Sequence, residues 1–262
     1  MQPNGETRMN TPAHHKQSFI IWEVLLEAWQ SRIHTLWPIW AIVLPMLVVL
    51  VILQILIGLL FAHTHTIPLL IFYQRLLVPM IIGIAVAPFV AGSQMIALKR
   101  MRGEIVTTQT GYQYFHKAWQ VMVVFFIIEL LSNLMFYIIQ TTAPHDTMHH
   151  AIAWWYLLAG VVFIFILVFS LLGILFVVDK NLPPLKALYY SYKTIAHCWF
   201  KTLLLLIILY LLIVAISIPF IVGSMIHPYA KLLGACIFVI GMIWLIPYTF
   251  LVQGTLYHKL VD

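Results

Sequence analysis

Between residues 202 and 224 the chain carries no charged side chain, and five further stretches are nearly as apolar. No water-soluble fold of this length covers so much hydrocarbon: 63% of the 262 residues are hydrophobic and 8% are charged, against about 45–50% and about 25% in soluble domains. In a bilayer the peptide groups have no water to bond, so a spanning chain is either helical or a closed barrel. A barrel needs short segments that alternate apolar and polar. The run 203–219 is continuously apolar except for a tyrosine and a serine, which is helical patterning. A crossing takes about 20 mostly apolar residues. Segments 38–61, 69–98, 119–140, 152–178, 202–224 and 231–252 qualify. The expected fold is all-α, a polytopic membrane bundle of about six transmembrane helices. Residues 1–17 read as a disordered tail and 18–262 as one domain.

Orientation follows from the basic residues. Arg8, Lys16, Arg32, Lys99, Arg100, Arg102, Lys117, Lys180, Lys186, Lys193, Lys201 and Lys259 fall on one side of the threading; Arg75 and Lys231 fall on the other. Loops rich in Lys and Arg stay in the cytoplasm, so both termini are expected there. The polar start lacks the short apolar stretch and small-residue cleavage site of a removable signal, and the first span is expected to direct insertion. Cys198 and Cys236 lie in different segments without metal-type spacing, and they read as packed thiols.

The cytoplasmic connections are longer than the external ones and repeat a pattern. After Pro183-Pro184, which suit a helix start, Leu185, Leu188, Tyr189, Tyr192, Ile195, Ala196 and Trp199 recur at helical spacing, with Lys186, Lys193, His197 and Lys201 on another face. Trp22, Leu25, Leu26, Trp29, Ile33, Leu36 and Trp37 do the same before the first span. Tyr112, Phe115 and Trp119 give a shorter version before the third. Each unit reads as an amphipathic interfacial helix, a span out, a short turn and a span back, three times over. Such helices lie at the headgroups. Lys186, Lys193 and Lys201 are the expected contacts to anionic lipid, each worth about 1 kcal/mol.

The three returning spans end in related fashion. The second ends with Pro88-Phe-Val-Ala-Gly-Ser-Gln-Met-Ile-Ala-Leu-Lys-Arg-Met-Arg-Gly103-Glu104, the fourth with Val178-Asp179-Lys180 and then Ala187-Leu-Tyr-Tyr-Ser191-Tyr-Lys193, and the sixth with Pro247-Tyr-Thr-Phe-Leu-Val-Gln-Gly-Thr-Leu-Tyr257. With these endings the chain resembles, from about Trp22 to Leu260, the bacterial six-span inner-membrane proteins of the YciC type. It is also similar to the membrane domain that precedes some glycerophosphodiester phosphodiesterases. The resemblance implies a bacterial inner membrane and six spans, and it transfers no catalytic residue.

Few residues have the chemistry for more than packing. Glu129 lies in the middle of the third apolar segment, with Ser132 and Asn133 about a turn on. A carboxylate at that depth is costly unless paired, wetted or protonated. It therefore reads either as part of a proton, ion or substrate path, or as a protonated hydrogen-bonding link between helices. Gln54, Gln94 and Arg75 are its possible partners. On the external side His145, Asp146, His149 and His150 have four-residue spacings that put each pair on one helical face. Imidazole and carboxylate would suit Zn²⁺, Ni²⁺ or Cu²⁺, a pH-sensitive cluster, or simply an exposed turn; His63, His65 and His227 lie in the other external turns. Pro45, Pro79, Pro88, Pro219 and Pro247 fall within spans and read as kinks or tolerated breaks. No phosphate-cradling loop, catalytic constellation or nucleic-acid-binding surface is apparent, since the +6 charge is accounted for by orientation. The expectation is a non-enzymatic protein without cofactor that supports membrane or envelope homeostasis through lipid or protein contacts. The alternative is a small transporter or channel with Glu129 in its path.

Overall fold

The computed structural model describes residues 19–61, 77–142 and 149–262, and their side chains except at 61 and 135–156. The tail 1–17 and residues Arg75, His145 and Asp146 lie outside this set. The described residues form helices and connecting turns. Helix α1 (Ile21–Gln30) precedes α2 (Leu36–Phe61), and α3 (Val78–Met101) returns. A short α4 (Thr108–Tyr112) and a 3-10 turn (Gln113–Lys117) lead into α5 (Ala118–Thr142). The next crossing is split into α6 (His149–Ser170) and α7 (Gly173–Lys180), followed by α8 (Pro184–Ala196), α9 (Trp199–Ile226) and α10 (Pro228–Val261). Six helices are long and apolar enough to cross a membrane, as the apolar runs require.

One boundary differs from expectation. Helix α10 runs to Val261, nine residues past the expected end of its apolar run. At 34 residues and 1.5 Å per residue it is about 51 Å long, well beyond the roughly 30 Å hydrocarbon core. Pro79 sits in the first turn of α3 as described, a position at which proline is well tolerated. Pro45, Pro88, Pro219 and Pro247 do lie inside helices.

Packing is concentrated at one end. In α2, Ile39, Ile42 and Val43 are buried, whereas Val51, Ile52, Ile55, Leu56, Leu59 and Leu60 are exposed. Helix α9 buries Thr202, Leu205 and Leu209 and exposes Ile218, Ile221, Val222 and Met225. The returning helices show the reverse sense along the chain. Every residue from Ala91 to Leu98 is buried in α3, as is every residue from Gly173 to Val178 in α7. The buried part of α10 lies mainly between Leu245 and Tyr257. So the core gathers where the outgoing helices begin and the returning helices end, and toward the other end α2 and α9 leave most of their apolar side chains exposed, as a lipid surround allows.

The short helices α1, α4 and α8 wrap this core by a cyclic rule. Helix α4 packs on α2 and α3, α8 on α6 and α7, and α1 on α10. Each docks on the returning helix of the preceding unit, and α1 closes the ring on the last. An aromatic pair repeats at each contact. Phe89 meets Phe115 edge-on with ring centres 5.3 Å apart. Phe169 meets Tyr192 at 5.0 Å, and Tyr248 meets Trp29 edge-on at 5.8 Å. Phe89 and Tyr248 each follow a proline, and a glutamine comes six residues after each proline; those two glutamines, Gln94 and Gln253, hydrogen-bond to each other at 2.7 Å. The threefold pattern of the sequence is thus carried by equivalent contacts.

The split in the fourth crossing has a local cause. Between Ser170 and Gly173 the helix is broken, which frees backbone groups. Ser191 of α8, fully buried, answers both: its hydroxyl donates to the Phe169 carbonyl at 2.6 Å and accepts from the Leu172 N–H at 3.2 Å. Gly173 lets α8 come close, since a Cβ there would stand 3.0 Å from Leu188.

Candidate functional site

The returning helices bring a charged cluster together where they end. Arg102 caps the C-terminus of α3, just before Gly103, which turns the chain with φ 78°. Asp179 is in the last turn of α7, before the left-handed Asn181. Tyr257 and His258 are in the last turns of α10, and Asp262 follows its end. The Arg102 guanidinium grips Asp179 with two bonds, Nη1 to Oδ1 at 2.6 Å and Nη2 to Oδ2 at 3.0 Å. It grips Asp262 with two more, Nε to Oδ2 at 2.8 Å and Nη2 to Oδ1 at 2.9 Å. The planar fork of arginine suits such paired recognition; a lysine has no equivalent.

Neighbouring groups complete the cluster. The Tyr257 hydroxyl, on a fully buried ring, donates to Asp179 Oδ2 at 3.0 Å. Lys180 Nζ lies 3.5 Å from Asp179 and 3.6 Å from Asp262. His258 Nδ1 is 3.1 Å from Asp262 Oδ2. Lys117, at the entry of α5, donates to the Val178 carbonyl at 2.6 Å. Hydrogen bonds to Asp179, then to Asp262, hold the Arg102 guanidinium charged more firmly than usual. Burial pushes the Asp262 carboxyl up, but the bonds to Arg102 and His258 outweigh it and leave it below the ordinary carboxylate value. The arrangement is a clasp among α3, α7 and α10, with nearly balanced charge.

Glu129 and Asn133 are brought together as their spacing suggests. Asn133 Nδ2 donates to Glu129 Oε2 at 2.7 Å and to the Glu129 carbonyl at 2.8 Å. The bond stays within α5, so it does not link two helices. Glu129 is half-buried, and its side chain lies across α3 at Gly83, where a Cβ would come within 3.0 Å of Glu129 Cγ. Of the partners the sequence offered, Gln94 bonds instead to Gln253. Ser132 is buried, and its hydroxyl has no partner.

The lysines separate. Lys186 and Lys193 are exposed on α8, beside the exposed Leu185, Tyr189, Tyr190 and Tyr192. Lys201 lies past the helix break at His197 and Cys198, is half-buried, and donates to the Phe19 carbonyl at 3.1 Å. It ties the start of α9 to the entry of α1. Lys259 of α10 pairs with Glu27 of α1 at 2.9 Å. His149 and His150 open α6, but their side chains, like His145 and Asp146, lie outside the described set. No grouping of metal ligands occurs among the described residues.

Arg102, Asp179 and Tyr257 all lie in the similar endings of the returning spans, but nothing in those short motifs joins them. The signal is one of position: a basic and an acidic residue at the ends of two returning spans, and a second acid at the end of the last. No family model, curated protein or solved structure matches the chain.

Proposed function

We propose that the protein is a non-enzymatic module of a bacterial inner membrane, related to the YciC-type six-span proteins, with both termini in the cytoplasm. Its role is to support membrane or envelope homeostasis through contacts with anionic lipid. The observation that carries this reading is helix α8. One side of it packs Ala187, Ser191 and Ile195 into the bundle, while Lys186 and Lys193 stand exposed among tyrosines on the remainder. Aromatic rings that sit at headgroup depth, with lysines beside them, form a surface suited to phosphate headgroups.

The full-length protein in detergent tests this, by thermal unfolding with added phosphatidylglycerol or phosphatidylcholine. A ligand that binds only the folded state raises the midpoint. Phosphatidylglycerol is expected to raise it more than phosphatidylcholine, and a Lys186→Ala/Lys193→Ala variant is expected to lose most of that difference. Equal midpoints for both lipids, or an unchanged difference in the variant, would refute the role of α8. Lys201→Ala serves as the contrast: it removes the link to Phe19 and lowers the midpoint with either lipid.

A further inference from the structure

The cyclic packing leaves one seam open. Helix α4 touches both spans of the unit before it, and α8 does likewise. Helix α1 rests on α10 but makes no comparable contact with α9. Between them lies a groove of about 600 Å³, within the range of small-ligand clefts. Its walls are hydrocarbon: Trp22 and Leu26 of α1, Leu212 and Ile216 of α9, and Trp244 and Leu245 of α10. Trp40, near the start of α2, donates to the Ile243 carbonyl at 2.9 Å, so this stretch of α10 is level with the entry of the first span.

One cation stands at the rim. The Arg32 guanidinium lies 3.4 Å over the Trp29 ring and 5.8 Å from the Trp244 ring, and both rings line the groove. Its Nη1 donates to the Trp29 carbonyl at 2.9 Å. Its Nε is buried without a hydrogen-bond partner, and among the described residues no carboxylate pairs with the guanidinium, because Glu23 and Glu27 turn to Lys259. An apolar channel beside an arginine held flat on tryptophan, without an acid to neutralise it, is complementary to a molecule with a hydrocarbon chain and a phosphate.

We infer that this groove binds one anionic glycerophospholipid, an acyl chain between α1, α9 and α10 and the phosphate on Arg32. The inference deepens the lipid reading of the preceding section and rests on the same membrane placement, but it concerns a different surface, a single stoichiometric site rather than a general attraction to headgroups.

Native mass spectrometry of the full-length protein, delipidated and then titrated with phosphatidylglycerol or with diacylglycerol of the same chains, tests it. One phosphatidylglycerol per chain is expected to survive ionisation, with at least tenfold weaker retention of diacylglycerol. Arg32→Gln is expected to abolish that preference, and Leu212→Trp, which fills the groove, to abolish retention of both. Circular dichroism identifies any variant that fails to fold, and Ile216→Phe then replaces Leu212→Trp. The Lys186→Ala/Lys193→Ala variant keeps the bound lipid, so loss of the α8 effect leaves this site standing. Equal retention of the two lipids, no change in Arg32→Gln, or a lipid-free dimer that Leu212→Trp converts to monomer would overturn the proposal.

Discussion

Arg102 is the side chain on which most depends, because its single guanidinium satisfies carboxylates from two other helix ends. Asp179 is 10% exposed and Asp262 20%. Removing the guanidinium leaves two mostly buried acids with only the more exposed Lys180 beside both, and breaking a buried pair in this way costs about 3 kcal/mol. Arg102→Ala is therefore expected to lower the thermal midpoint in detergent sharply, with Arg102→Lys recovering only part, since an ammonium cannot span both carboxylates. The acid side has a definite sign. The Asp262 carboxyl in the folded protein sits below its ordinary value of 3.8, so its stabilisation is complete above that value and is lost as pH falls through the depressed one. The gap in unfolding midpoint between the wild type and Asp262→Asn should be largest near neutral pH and shrink as pH drops below about 4. A gap that stays constant down to strongly acidic pH would contradict the geometry described for Asp262.

At the scale of elements, the broken fourth crossing shows how one helix completes another. Ser191 serves both the Leu172 N–H and the Phe169 carbonyl from a site with no access to water. Ser191→Ala leaves both groups unpaired, and such a loss costs about 1–3 kcal/mol. Ser170→Ala, which removes only a long bond to Leu167 on an exposed turn, should cost far less, and unfolding of the two variants side by side measures the difference. The amphipathic pattern of α8 was plain in the sequence, because helical spacing of Leu185, Leu188, Tyr192 and Ile195 is a one-dimensional signal. Which of its residues face protein was not. Leu185 and Tyr192 are exposed, and the buried stripe is Ala187, Ser191 and Ile195. Close approach between helices selects small residues, and hydrophobicity alone ranks them too low.

For the whole molecule, the ring closes because α1 reaches the end of α10, through Tyr248 to the Leu25 carbonyl and Trp29, and through Lys259 to Glu27. The start of the described chain at α1 and the end of α10 therefore lie at the same end of the bundle, where the core is. In a variant without Cys198 and Cys236, a cysteine placed at His227, in the turn between α9 and α10, is expected to react with an impermeant reagent applied to intact cells. Cysteines at Ile105 or Tyr190, both exposed at the opposite end, are expected to react only after permeabilisation. The reverse labelling would invert the orientation drawn from the basic residues.

Six helical crossings, their approximate places and the three repeated units follow from the order of residues, since the length of an apolar run and the spacing of side chains are local properties that lipid converts directly into helix. The partnership of Glu129 with Asn133, four residues apart on one helix, belongs to the same class. Tertiary structure alone decided that the core gathers at one end, that α10 continues nine residues past its apolar run, and that Arg102 finds Asp179 and Asp262 across 77 and 160 positions of sequence. Those outcomes depend on which helix ends meet, and a meeting of distant ends is fixed by the packing of whole helices, which no short window of sequence contains.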